Sequence, residues 1–154
     1  MVSEGDIAPD FQLPTDDGRI LELGGMKGSP VVLYFYPKDD TSGCTKEALA
    51  FTEHAKDFLS LGARVVGVSP DSVTAHEKFK AKHGLKVTLA SDTEKQVCEA
   101  YGVWVEKSMY GRKYMGVERS TFLIDAKGRI AQAWRKVKVP GHAEAVLDAL
   151  KQIQ

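Results

Sequence analysis

A chain of 154 residues is long enough for one domain with a real hydrophobic core. A 43% hydrophobic and 27% charged make-up is ordinary for a soluble globular protein, which argues against a disordered or fibrous chain. Basic and acidic residues balance at 21 each, so charge gives no reason to expect a nucleic acid or an acidic membrane as partner.

The acidic N-terminus, Met1 to Asp6, has no apolar segment of the signal-peptide kind, and no apolar run approaches a membrane span. A cytoplasmic location is the expectation. Two cysteines without CxxC spacing, Cys44 and Cys98, suggest neither a disulfide framework nor a zinc site, and no cofactor is expected. His54, His76, His83 and His142 are scattered in mostly charged surroundings. They read as solvent-facing helix residues rather than metal ligands.

Residues 10–14 and 19–23 alternate apolar and polar around the turn Asp16-Asp17-Gly18, which predicts an N-terminal β-hairpin. Residues 24–30 read as a loop or single helical turn. Val31–Tyr36 is a continuous apolar run and reads as a buried strand. From Thr41, the positions Ala48, Phe51, Ala55, Phe58, Leu59 and Leu61 recur at helical spacing and predict one long helix ended by Gly62. Arg64–Ser69 is β-branched, as in a parallel sheet covered on both faces. A helix runs from Asp71-Ser72 to His83-Gly84, and Thr88–Ala90 is a short strand. Ser91-Asp92-Thr93-Glu94 has the form of a capping box for a helix ending at Tyr101-Gly102. Segment 103–118 is long for a connection, so it reads as functional or partly strand. Arg119–Ile124 and Ile130–Arg135 flank a turn at Asp125–Gly128, and Ala143–Ile153 closes the chain as a helix. The order predicts an α/β domain spanning residues 1–154. It matches a thioredoxin-like fold, a central mixed sheet flanked by helices with an N-terminal β-hairpin extension.

Residues 37–47 carry the chemistry. Pro37 cannot donate to a strand ladder and turns the chain. Thr41 suits an N-cap, which makes Ser42 N1, Gly43 N2 and Cys44 N3. The unpaired N–H groups of that turn, and the positive end of the helix, favour an anion at the sulfur. A free cysteine has a pKa of about 8.5, which a helix N-terminus and a nearby cation lower to roughly 3.5–7.5. Taken by itself, Cys44 reads equally well as a buried structural thiol.

Pro37-x-x-x-Thr41-x-x-Cys44 resembles the peroxiredoxin motif. The words Tyr34 to Asp39, Gly43-Cys44-Thr45, Gly67-Val68-Ser69 and Gly116 to Asp125 resemble the bacterioferritin comigratory protein, or peroxiredoxin Q, branch nearly end to end. The resemblance implies a thiol-dependent peroxidase acting on hydrogen peroxide and organic hydroperoxides. It makes Cys44 the peroxidatic cysteine, which becomes a sulfenic acid. Thr41 hydrogen-bonds within the site, Arg119 supplies a fixed cation, Pro37 shields the site from water, and Glu47 orients Arg119. Glycine at position 43 lets a peroxide approach the backbone closely.

Ser42 replaces a proline usual in the branch, and both residues suit N1. A resolving cysteine commonly lies five residues after the peroxidatic one, where this chain has Leu49, or on the next helix near Lys80. Cys98 remains, beside Val97 and Tyr101 on its helix, and reads as an inert, partly buried thiol. The expectation is a one-cysteine cycle completed by thioredoxin, glutaredoxin or a low-molecular-weight thiol. The alternatives are a two-cysteine cycle resolved by Cys98, or a Cys44-based redox sensor or holdase. A monomer is favoured over a dimer.

Overall fold

The computed structural model describes residues 2–154. Its centre is a five-stranded sheet in the order β5-β4-β3-β8-β9. Strand β3 (Val31–Phe35) pairs in parallel with β4 (Arg64–Ser69), which pairs in parallel with β5 (Thr88–Ser91). On its other side β3 pairs antiparallel with β8 (Ser120–Ile124), and β8 with β9 (Ile130–Trp134). Every residue of β3 is buried because the sheet is covered on both faces. Its side chains alternate between two cores, Val31, Leu33 and Phe35 in one and Val32 and Tyr34 in the other.

The first core is closed by the N-terminal hairpin β1 (Gln12–Pro14) and β2 (Ile20–Glu22), a 3-10 turn at Leu23–Met26, and α4 (Gln96–Ala100). The second is closed by α1 (Ser42–Glu53), α2 (Ala55–Ser60), α3 (Val73–His83) and α5 (His142–Gln152). Ala143, Val146, Leu147 and Leu150 of α5 all face this core, as their spacing predicts. The architecture is the expected thioredoxin-like one. Glycine at position 67 of β4 is required by packing: a Cβ there would lie 2.7 Å from the Tyr34 ring of the neighbouring strand.

Three local expectations are corrected, and the partly-strand reading of segment 103–118 is made specific. The helix predicted from Thr41 to Leu61 is two helices, broken at His54 (φ −99°, ψ 12°). The break keeps Phe51 and Phe58 in one core and leaves Leu59 exposed, so not every apolar residue of the pattern marks the buried face. Gly62 does end α2. With φ +75°, it donates to Leu59 O while Ala63 N donates to Phe58 O, the paired bonds of a Schellman motif. The capping box at residues 91–94 does not form, because Ser91 is the last residue of β5, paired with Ser69. Asp92 caps instead, its carboxylate accepting from Val97 N and Cys98 N. Segment 103–118 is a separate hairpin, β6 (Trp104–Met109) and β7 (Arg112–Val117). Tyr110 and Gly111 at its tip both have positive φ, as a tight two-residue hairpin turn requires. Finally, His76 and His142 are buried rather than solvent-facing.

Candidate active site

Cys44 is the third residue of α1, within its first turn, beyond the C-terminal end of β3. Thr41 occupies the N-cap position with extended backbone, and its carbonyl accepts the first helical bond from Thr45 N. Its hydroxyl does not cap. It donates to Lys38 O at 2.8 Å and so tightens the loop ahead of the helix. Pro37 is half-buried in the same loop.

Arg119, in the link between β7 and β8, reaches two residues of α1 at once. Its Nη2 donates to Cys44 Sγ at 3.2 Å, and its Nη1 to Glu47 Oε1 at 2.6 Å. Cys44 and Glu47 share a helix face through i, i+3 spacing, and both are almost wholly buried. Burial pushes the Glu47 carboxyl up to about 7, although Arg119 pulls the other way. Burial also opposes the charge on Arg119, but Glu47 and Cys44 outweigh it and hold the guanidinium above its ordinary pKa. A Cβ on Gly43 would lie 3.2 Å from Arg119 Nη2. Glycine there makes room for the guanidinium itself.

Cys44, Arg119, Glu47 and Gly43 are therefore brought together, with Thr41 and Pro37 in the adjoining loop. Cys98 is not brought to them. Its side chain packs in the first core and that of Cys44 in the second, on opposite faces of the sheet. Burial and the neighbouring Asp92 push the Cys98 thiol far up. Leu49 is on the outer side of α1, 40% exposed.

Several participants have no signature in the sequence. Tyr34 is fully buried below α1, stacked on Phe51 and Tyr36, and its hydroxyl has no hydrogen-bond partner among the described residues. Burial, reinforced by the charges of Glu47 and Cys44, holds its pKa well above the usual value. His142, on α5, is pushed down to about 4 by burial and by Arg119, while its Nε2 lies 2.8 Å from Thr121 Oγ1. Lys107 on β6 is lowered by burial, then by Arg119, while Cys44 acts in the opposite direction.

The loop before α1 is anchored from behind. Asp39 Oδ2 lies 2.7 Å from Nδ1 of the buried His76, Tyr36 donates to Asp39 Oδ1 at 2.6 Å, and Asp39 N donates to Asp71 Oδ2. His76 Nε2 meets Ala90 O at 3.0 Å, so both ring nitrogens face oxygen acceptors. Asp40, in left-handed conformation at φ 60°, is gripped by Lys82 and His83 of α3. Asp39, Asp71 and His76 have the spacing of metal ligands. Their polar atoms are already engaged with one another, Tyr36, Ser69 and Ala90.

A model of the AhpC/TSA family matches residues 5–133. Over 149 residues the chain is 52% identical to a putative peroxiredoxin bcp of Coxiella burnetii, covering 97% of this chain and 99% of the relative. It is 49% identical to the peroxiredoxin Bcp of Bacillus subtilis, again over 149 residues (97% and 95%). A solved peroxiredoxin Q of Xylella fastidiosa, a cysteine-to-serine mutant, superposes with a TM-score of 0.93 at 42% identity, covering 99% of this chain and 98% of that one. A bacterioferritin comigratory protein of Xanthomonas campestris, studied for alkyl peroxide reduction, superposes with a TM-score of 0.89 at 47% identity (93% and 91%).

Proposed function

The chain belongs to the AhpC/TSA family as a peroxiredoxin of the Bcp/peroxiredoxin Q kind, a thiol peroxidase, and from that premise we propose how its residues divide the work. Cys44 is the peroxidatic residue. Its thiolate attacks one peroxide oxygen, the O–O bond breaks, and negative charge develops on the departing oxygen. Arg119 and the N–H groups of Gly43 and Cys44 stabilise that charge without reorganising. The observation that carries this reading is Arg119 Nη2 at 3.2 Å from a sulfur in the first turn of α1. Arginine serves here better than lysine because one planar group spans both Sγ and Glu47. Glu47 orients it, Thr41 Oγ1, which donates to Lys38 O, accepts a hydrogen bond within the thiolate–peroxide site, and Pro37 shields the site from water. The whole chain, residues 1–154, acts as one domain, since both cores pack on the same sheet.

Hydrogen peroxide and organic hydroperoxides are the proposed substrates. A thiol-type reductant closes the cycle, and thioredoxin, glutaredoxin or a small thiol is the proposed external donor. Two observations support a one-cysteine cycle: Leu49 occupies the position five residues after Cys44, and Cys98 packs on the far side of the sheet. A cytoplasmic setting, where such donors are kept reduced, suits this cycle, and the chain is proposed to work as a monomer.

The test is peroxide consumption with thioredoxin or dithiothreitol as reductant. Cys44→Ser should abolish it, and undiminished activity in that variant would remove Cys44 from the mechanism. Cys98→Ser should turn over normally with an external thiol. Quantitative formation of a Cys44–Cys98 disulfide in peroxide-treated protein would overturn the one-cysteine cycle. Oxidation without turnover under any thiol donor would favour a sensor or holdase.

A further inference from the structure

Glu47 is only 1% exposed, and one of its carboxyl oxygens is idle. Oε1 accepts from Arg119 Nη1, while Oε2 has no hydrogen-bond partner among the described residues. The same guanidinium donates to Cys44 Sγ. One cation thus stands between two groups that can each become an anion. A thiolate and a carboxylate together outnumber it in a region closed to water, where unbalanced charge is expensive. A neutral acid at Glu47 leaves the thiolate and the guanidinium balanced. It also replaces an unpartnered ionic oxygen with a less costly unpartnered hydroxyl.

We propose that Glu47 is a proton store for peroxide reduction: a positioning residue that holds a proton while Cys44 is a thiolate and releases it when the sulfur is oxidised. This rests on the peroxidase reading above. The thiolate lone pair attacks the hydroperoxide's O–H oxygen and an S–O bond forms. The O–O bond breaks and its electron pair leaves on the departing oxygen. Sulfur is oxidised by two electrons and the peroxide is reduced by the same two. The sulfenic oxygen keeps the peroxide's hydrogen, so the departing alkoxide or hydroxide needs a proton to become alcohol or water. The sulfenic acid is uncharged, which leaves Arg119 with Glu47 as its counter-ion and favours the carboxylate. The proton that Glu47 gives up matches the one the alkoxide takes on.

The other groups around the site do not duplicate this role. His142 of α5 is neutral near pH 7, its pKa pushed down to about 4, and Tyr34 of β3 stays protonated. Lys107 of β6 is coupled to Arg119, Cys44 and Glu118, and Asp39 adds a negative charge facing Tyr34. Burial brings Glu47 to about 7, where a proton is readily held or lost.

The experiment mixes reduced protein with one equivalent of hydrogen peroxide in weak buffer near pH 7 and follows solution protons with an indicator dye. Thiolate content is read beforehand by ultraviolet absorbance, and sulfenic acid afterwards by mass spectrometry. The wild-type thiolate should take up well under half a proton per sulfur, and Glu47→Gln about one, by linkage. A purely orienting Glu47 predicts equal uptake in both, since the glutamine amide still accepts from Arg119. A readout that needs no variant is the protonated-carboxyl infrared band, which should shrink on oxidation of the wild type. A full proton taken up by the wild-type thiolate, an unchanged carboxyl band, or a protonated sulfur beside an ionised Glu47 each overturns the proton store. Failure to form any sulfenic acid counts instead against the peroxidase reading.

Discussion

Gly43 governs where the guanidinium of Arg119 can lie, since even a methyl group at that position would reach to 3.2 Å of Nη2. Gly43→Ala should therefore separate stability from activity. An alanine in a helix gains up to about 0.5–1 kcal/mol over glycine. Displacing the cation should slow Cys44 oxidation on the order of 10-fold or more, because it weakens a preorganised donor. Stopped-flow oxidation and urea unfolding of the same variant check both halves, and an unchanged rate would remove Gly43 from the site. His142 makes a different prediction. Its pKa falls from 6.5 unfolded to about 4 folded, so its contribution to stability is complete above pH 6.5 and is lost as pH falls towards 4. Glu47 runs the other way. With a folded value of about 7 against 4.5, it lowers stability as pH rises through that interval. Wild-type stability should thus change little between pH 4.5 and 6.5, whereas His142→Gln, which leaves only the Glu47 contribution, should lose stability steadily with rising pH. Urea midpoints across that range provide the measurement, and a flat profile in the variant would contradict it.

The loop before α1 and the element behind it act as a unit. The Asp39–His76 pair is closed to water and ties residues 37–41 to α3 and β5. Removing one member of such a buried pair typically costs about 3–5 kcal/mol. His76→Leu should show a loss of that size in urea unfolding, with faster hydrogen exchange at Asp39 N. A loss below about 1 kcal/mol would mean that the loop is held by Asp40 and its α3 partners instead. Little of this anchor is readable from the sequence, because Asp39 and His76 are 37 residues apart and histidine has no pattern that marks it as buried. The start of α1 is readable, since strand, proline, threonine and cysteine fall within one short stretch whose spacing encodes the geometry. The break at His54 is hidden because the apolar period runs through it unbroken. The cap of α4 is misplaced for a related reason: Ser91 fits a capping box locally, but pairing with β4 claims it for the sheet.

Across the whole molecule, the alternation of β3 sets up two chemical compartments. Cys44 packs with the helices on one face and Cys98 with the N-terminal hairpin on the other. Arg119 stands beside the Cys44 sulfur while burial and Asp92 hold the Cys98 thiol protonated, so a small thiol reagent at neutral pH should modify Cys44 first and Cys98 only when the chain unfolds. Counting modified thiols by mass spectrometry with and without denaturant checks this, and two fast thiols in the native state would overturn it. The strands, the mixed sheet and its cover of helices are legible from hydrophobic period and strand–helix alternation, while the strand order and the opposition of the two cysteines emerge only once pairing and register are known. One cross-strand contact has a further consequence. Gly67 of β4 lies against the ring of Tyr34, so no side chain can arise at position 67 while the tyrosine remains. The two positions are bound to an order of change: a smaller residue at 34 must come first and a larger one at 67 second. Evolutionary routes through β4 are thus gated by a ring that stacks beneath the helix carrying Cys44.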